Sequence, residues 1–331
     1  MTASAPHWID YSLPLRRPWV TQYGQETRRQ GRLCRIGDTA GLVGWGDASP
    51  LPALGITPEL ATRYALECAS LDLAARQARV PLYRHLGQAR PVSSLEVNCM
   101  LGSLADCTAE QVANAYAQGF RCFKLKLGVT SLALELAQLE QLTVGLPGDA
   151  RWRLDANAAW TLSDARYALH RMRDWPIEGL EEPMAHADAN DLACLQESVP
   201  FPLAIDESWH LVDADFFSAP CVRRLILKPA RLGGLKESVR IAEYARRAGL
   251  DCVVTSALES ACGLRAAAHL AAAIAPDACH GLATGDWLLD DTGARPRLTD
   301  GRLALDSENG PDGTGFTPAT AYLSAFSPGL N

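Results

Sequence analysis

The sequence predicts an α/β protein: a (β/α)8-type barrel, its last helix weak, preceded by an α+β N-terminal capping domain. Three observations carry that expectation. From about residue 93 onward, short apolar stretches alternate with helical ones, and eight such units fit within the 331 residues. Charged residues recur at the ends of successive stretches: Lys126, Asp155, Glu181, Asp206 and Lys228 follow one another by 29, 26, 25 and 22 residues, about one strand-helix unit each time. The first ninety residues lack this rhythm and read as three strands followed by a helical run.

In chain order, strand-like stretches at Trp8 to Leu13, Arg32 to Ile36 and Gly41 to Trp45 precede a helical segment from Pro58 to about Leu86. Between them the glycines and prolines of Gly44 to Pro52 predict a structured loop in place of a regular element. The barrel strands are expected at 95–101, 122–127, 151–156, 177–182, 203–206, 224–228, 252–256 and, more weakly, 281–284. Thr108 to Gln111 has the spacing of a capping box, and Gly119 suits the residue after that helix. Leu132, Leu136, Leu139 and Leu142 keep the helical period, as do Ala165, Leu169 and Met172. No clear helix follows the eighth strand. The expected division is 1–92 for the capping domain, 93–310 for the barrel and 311–331 for a C-terminal tail that contributes to the capping domain.

Composition excludes several classes. With 48% hydrophobic and 21% charged residues, the chain is neither disordered nor a coiled coil. Its 38 acidic and 31 basic residues leave a net charge of −7, which argues against nucleic acid as a partner. No apolar run reaches about 18 residues and no signal-peptide pattern is present, so a cytoplasmic protein with no membrane partner is expected. The ten cysteines form no C-x-x-C pair and have mostly apolar neighbours, as buried reduced thiols do. No repeat, tail or amphipathic patch points to a protein partner.

In such a barrel the chemistry collects where the strands end. Lys124 and Lys126 end the second, Asp155 and Asn157 the third, Glu181 and Glu182 the fourth, Asp206 and Glu207 the fifth, Lys228 the sixth, and Ser256 with Glu259 the seventh. Singly, each reads as a rim charge, a helix cap or a strand terminator. Jointly, acids on three adjacent strands repel one another unless a cation neutralises them, and an all-oxygen set suits a hard ion: Mg²⁺, with Mn²⁺ as the alternative, ahead of Zn²⁺. Lys126 and Lys228 would bracket a substrate held there. Removing a proton beside a carboxylate makes a doubly charged enediolate that needs such a cation, so the set is coherent for that reaction.

Lys-Leu-Lys at 124–126, Leu-Asp-Ala-Asn at 154–157, Leu-Glu-Glu-Pro at 180–183, Ala-Ile-Asp-Glu-Ser at 204–208 and Leu-Lys-Pro at 227–229 resemble the muconate-lactonizing subgroup of the enolase superfamily. Gly44-Trp45-Gly46, Ser49 to Pro52, Arg153, Thr255 to Ser260 and His280 to Leu282 are similar to the o-succinylbenzoate synthase family within it, which serves menaquinone biosynthesis. The resemblance implies syn-dehydration of a small-molecule dicarboxylate, 2-succinyl-6-hydroxy-2,4-cyclohexadiene-1-carboxylate. Lys126 would take the α proton and return it to the departing hydroxyl, with Lys228 a cation over the opposite face. Asp155, Glu181 and Asp206 would hold the metal, and Lys124 and Asn157 would support the anionic oxygens.

Other positions have two readings. Ser256 and the backbone at 259–263 either receive the substrate's second carboxylate or, for Ser256, cap a helix. Arg153 shares a strand face with Asp155 and either orients the site or makes an ion pair deeper in the barrel. Leu51 is the expected apolar contact of a lid formed by 48–52 and 21–30. Ala158, Ala159, Trp209, His210 and Trp287 depart from the pattern where specificity loops would lie. Alternatives keep the same metal site: an N-acylamino acid racemase or dipeptide epimerase with Lys126 and Lys228 as two bases, or a muconate-type cycloisomerase. A non-catalytic metal-binding barrel has no use for paired lysines.

Overall fold

The computed structural model describes residues 4–21, 24–213, 215–305 and 312–326. Residues 22–23 of the expected lid, and 311 and 327–331 of the expected tail, lie outside the described residues. The chain opens with an antiparallel sheet in the order β1 (His7–Thr21), β2 (Gly24–Gly37), β3 (Val43–Ala48). The helix Pro58–Ala78 packs on β3. It starts where the Thr57 hydroxyl accepts the Leu60 amide at 3.2 Å and Pro58 takes the first helical position.

β3 corrects the expectation of an irregular loop from Gly44 to Pro52, because residues 43–48 pair with β2 as a strand. Its glycines serve close packing. A β-carbon on Gly44 would lie 2.0 Å from the Ala69 carbonyl oxygen, and one on Gly46 would lie 1.9 Å from that of Ala65, so helix backbone rests directly on the strand. Gly46→Ala is expected to destabilise the fold by about 3 kcal/mol, since the obstacle is backbone and cannot rotate away. A urea unfolding midpoint equal to that of the wild type would refute this.

The remaining strands begin with β4 (Ser94–Glu96) and continue as β5 (Cys99–Ser103), β6 (Cys122–Lys126), β7 (Arg151–Asp155), β8 (Ile177–Glu181), β9 (Leu203–Ile205), β10 (Arg224–Leu227) and β11 (Asp251–Val254). β5 to β11 form one parallel sheet in chain order, curled into a (β/α)8-type barrel. The intervening helices follow their signals: Thr108 and Gln111 close a reciprocal capping box on Ala109–Ala117, and Gly119 has φ 89°.

Two ends of the barrel differ from expectation. The stretch 95–101 is divided, because β4 turns away to pair antiparallel with Arg302–Ala304 and only β5 joins the barrel. The eighth strand shrinks to His280 and Gly281, which bridge Val97 on one side and Thr255 on the other, and a short 3-10 turn, Gly285–Trp287, follows in place of a helix. The His280 ring holds this seam: Nδ1 accepts the Val254 amide at 3.0 Å, and Nε2 lies 2.9 Å from the Ala275 carbonyl. Burial pushes its pKa down to about 4, so the ring is neutral at pH 7.

Residues 313–316 return to the first sheet and its helix. The Thr314 amide donates to Asp72 at 2.6 Å, Arg76 donates to the Phe316 carbonyl at 2.9 Å, and the Phe316 ring meets Trp45 edge-on. All ten cysteines are free thiols. Among the described residues no helix is long and apolar enough to cross a membrane.

Candidate active site

Strand register sets the geometry. Lys126 at the end of β6 pairs with Asp155 at the end of β7, and Asp155 pairs with Glu181 at the end of β8, so the three stand abreast at the strands' C-terminal edge. Lys124, two residues before Lys126, shares its face. Its ammonium lies 3.0 Å from Asp155 Oδ2 and donates to Glu181 Oε2. Burial disfavours that charge, yet Asp155, Glu181 and Asp206 together outweigh burial and push the Lys124 pKa up. Asp206, just after β9, pairs with Lys228 and lies 3.0 Å from Arg231. Burial opposes its ionisation too, but Lys228, Arg231 and Lys124 bring it down to about 2. Glu181 goes the other way: burial, with Asp155 and Asp206, prevails over Lys124 and raises its carboxyl.

Local backbone irregularities aim these acids. Glu182 has φ 41°, and its carboxylate turns from Glu181 to accept the Asp206 and Ser208 amides at 2.7 and 2.8 Å. Asn157 and Ala158 both lie in the left-handed region, which sets the Asn157 amide on Asp155 Oδ1 at 3.1 Å.

Lys124, Lys126, Asp155, Asn157, Asp206 and Lys228 line one cleft. Lys126 has no hydrogen-bond or ion-pair partner among the described residues. The far wall is largely apolar, built from Met100, Ala257, Leu258, Ala283 and Trp287. Trp19 and Leu54 reach the cleft from the first sheet and the turn after it.

Two expectations, for Leu51 and Ser256, are corrected, and for Arg153 one of its two readings is decided. Leu51 is 1% exposed and bridges Ile56 in the core, so Leu54 is the turn's apolar contact with the cleft. Arg153 makes the deeper ion pair: its guanidinium donates to Glu178 at 2.8 Å, Asn98 at 3.1 Å and the Cys279 carbonyl at 2.9 Å, beneath the cleft. Ser256 lines the cleft with its hydroxyl already saturated, donating to Glu259 and accepting from the Leu258 amide and the Thr284 hydroxyl. It does not cap the helix Ala261–Ile274 either. Asp47 takes the Ser260 amide at 2.9 Å and Asp291 the Ala261 amide at 2.7 Å, so at that helix start carboxylates of the protein fill the place expected for a substrate's.

Asn98 and Trp19 also line the cleft although no site motif contains them, and so do Thr255, the first residue of the 255–260 motif, and Trp287, one of the departures from the pattern. Asn98 carried a signal, a polar residue within the otherwise apolar stretch 97–101. Trp19 carried none, since its place depends on how β1 meets the barrel: Leu15 bridges Leu288, and Arg17 lies over the Trp287 ring at 4.0 Å.

Asp155, Glu181 and Asp206 suit a hard divalent cation. Their donors are all carboxylate oxygens, and Glu181 Oε1 is buried with no hydrogen-bond partner. Here the Lys124 and Lys228 ammoniums supply the positive charge between the acids. Among the described residues, no three acidic, His or Cys side chains close on one metal-sized point.

The family profile described as Enolase C-terminal domain-like matches residues 108–319. An o-succinylbenzoate synthase of Thermosynechococcus vestitus is 30% identical over 326 residues, covering 88% of this chain and 94% of that protein. A hydrophobic dipeptide epimerase of Roseobacter litoralis is 32% identical over 261 residues, 75% of this chain and 73% of the epimerase. The crystal structure of a dipeptide epimerase from Enterococcus faecalis, complexed with Mg and the dipeptide L-Leu-L-Tyr, superposes with a TM-score of 0.84 over 95% of this chain and 99% of that one, at 23% identity. Synthase and epimerase thus stand at similar distances. Barrel, profile and relatives agree that the chain belongs to the enolase superfamily.

Proposed function

We propose that the protein catalyses the Mg²⁺-dependent syn-dehydration of 2-succinyl-6-hydroxy-2,4-cyclohexadiene-1-carboxylate to o-succinylbenzoate. The observation that supports it most is the division of the cleft: an unpartnered Lys126 on the side that carries Asp155, Asp206 and Glu207, and a far wall of Met100, Ala257, Leu258, Ala283 and Trp287 with no Asp or Glu. A dipeptide brings an ammonium that this wall leaves without a counter-ion: of the two acids next to it in sequence, Glu259 is turned away onto Ser256 and the Ala257 amide, and Asp286 lies 3.8 Å from Arg295. A dicarboxylate brings none.

In this reading Asp155, Glu181 and Asp206 hold the metal. Bound there, Mg²⁺ or Mn²⁺ supplies Lewis-acid stabilisation of the negative charge that develops on the substrate carboxylate. Lys126 takes the proton from the carbon beside that carboxylate. The same ammonium then returns the proton to the hydroxyl on the neighbouring carbon as that carbon–oxygen bond breaks, so water leaves from the same face and the ring becomes aromatic. Lys228 holds a positive charge over the other face. Lys124 and the Asn157 side chain support the anionic oxygens, and the part before residue 92 caps the barrel mouth.

A continuous ultraviolet assay tests this. Diene absorbance is expected to fall rapidly with Mg²⁺ and to stay constant with excess EDTA. Metal binding without any loss of absorbance overturns the synthase reading, and α-deuterium exchange on N-acylamino acids and dipeptides then decides between the two-base alternatives.

A further inference from the structure

Two buried polar side chains of the cleft are left unexplained by the reaction. Thr255, immediately after β11, is 7% exposed, and its hydroxyl has no hydrogen-bond partner although it lines the cleft. Such a group is costly to bury and is rare without a purpose. Asn98, immediately before β5, is 2% exposed. Its Oδ1 accepts from Arg153, which turns the amide so that Nδ2, without a partner among the described residues, is its free end. Gly281 brings the two together: a β-carbon there would lie 2.8 Å from Thr255 Cγ2 and 3.5 Å from Asn98 Oδ1. The seam strand thus carries no side chain between the two residues, which turn the Thr255 methyl and the Asn98 Oδ1 to Gly281 and keep the Thr255 hydroxyl and the Asn98 Nδ2 unpartnered among the described residues.

Their position in the ring says what they meet. In the strand order the seam at 280–281 stands opposite β8, whose last residue is Glu181. A substrate whose carboxylate lies toward the acids of β7, β8 and β9, and whose α carbon lies between Lys126 and Lys228, points its substituent at the seam. Asn98 Nδ2 can only donate and the Thr255 hydroxyl can donate as well, so an acceptor oxygen is the group that suits both.

We propose that Asn98 Nδ2 and Thr255 Oγ1 form a carbonyl-binding subsite at the barrel seam, with Arg153 as the positioning residue that presents the Asn98 amide. The ligand is a carbonyl whose carbon stands two bonds from the carbon that loses its proton. The succinyl ketone of the cyclohexadiene substrate meets this description, and so does the amide carbonyl of an N-acylamino acid. The subsite rests on the proposed proton abstraction, and its test is independent of whether dehydration follows.

The probes are o-succinylbenzoate and 4-(2-carboxyphenyl)butanoate, which differ only in that a methylene replaces the ketone, titrated by calorimetry into the Mg²⁺-loaded protein. Thr255→Val and Asn98→Ala are each expected to weaken o-succinylbenzoate about tenfold and to leave the methylene analogue unchanged. Thr255→Val should melt no lower than the wild type, because it removes a hydroxyl that bonds nothing in the protein. Equal weakening of both ligands means a merely structural role and overturns the subsite, as does no weakening of either. If the wild type binds neither ligand, the synthase reading fails. The same variants are then titrated with 2-benzyl-4-oxoheptanedioate and 2-benzylheptanedioate, analogues of N-succinylphenylalanine with methylene in place of the amide nitrogen that differ only in the carbonyl. Absence of a carbonyl-specific loss in that pair overturns the subsite as well.

Discussion

Replacing Lys126 by methionine is expected to lower turnover about 10⁴-fold while leaving the melting temperature within about 2 °C of the wild type. Both halves follow from its surroundings. Lys126 stands abreast of Asp155 and opens onto the cleft, yet no described residue depends on its ammonium for a hydrogen bond or an ion pair. A group without structural partners can be removed at little cost to folding, while a base that must also act as the acid is removed from both proton transfers. Lys124 is the instructive contrast. Its ammonium sits between Asp155 and Glu181, so Lys124→Met strands two buried carboxylates and should cost about 3–5 kcal/mol of stability. An inactive Lys124 variant therefore proves little. Steady-state kinetics and calorimetric melting on Lys126→Met give the decisive pair of numbers, and retention of more than about 1% of wild-type turnover removes Lys126 from the reaction.

What could be read from the sequence depended on how local the cause was. Lys126, Asp155 and Glu181 are strand-terminal residues, each placed by its own strand and brought abreast by parallel register, so spacing alone located them. The residues that misled depend on distant chain. Gly44 and Gly46 look like turn residues until the helix some twenty residues later lies on them. Ser256 looks available until Glu259 and Thr284 claim its hydroxyl. The start of the helix Ala261–Ile274 looks like an anion site until Asp47, 213 residues away from Ser260, arrives from β3. Arg153 was correctly placed on the face of Asp155, but depth in the barrel decides its role. Depth is visible only once Glu178, Asn98 and Cys279 surround it.

Lys228→Arg is expected to tell dehydration from two-base racemisation. Arginine keeps the positive charge and can still pair with Asp206, but it does not lose its proton near neutral pH. Dehydration through Lys126 needs only a cation at 228, so it should fall by no more than about tenfold, the allowance for a larger and differently shaped donor group. Two-base racemisation needs a neutral amine at 228 in one direction and an acid in the other, so any such activity should drop at least about 10³-fold. The ultraviolet assay reads the first. Deuterium incorporation at the α carbon from each enantiomer of an N-succinylamino acid reads the second. A parallel collapse of both activities would show that the shape of the lysine, and not its charge alone, is required over that face. Survival of racemisation would remove Lys228 as a base and leave Lys126 as the sole proton carrier of the cleft.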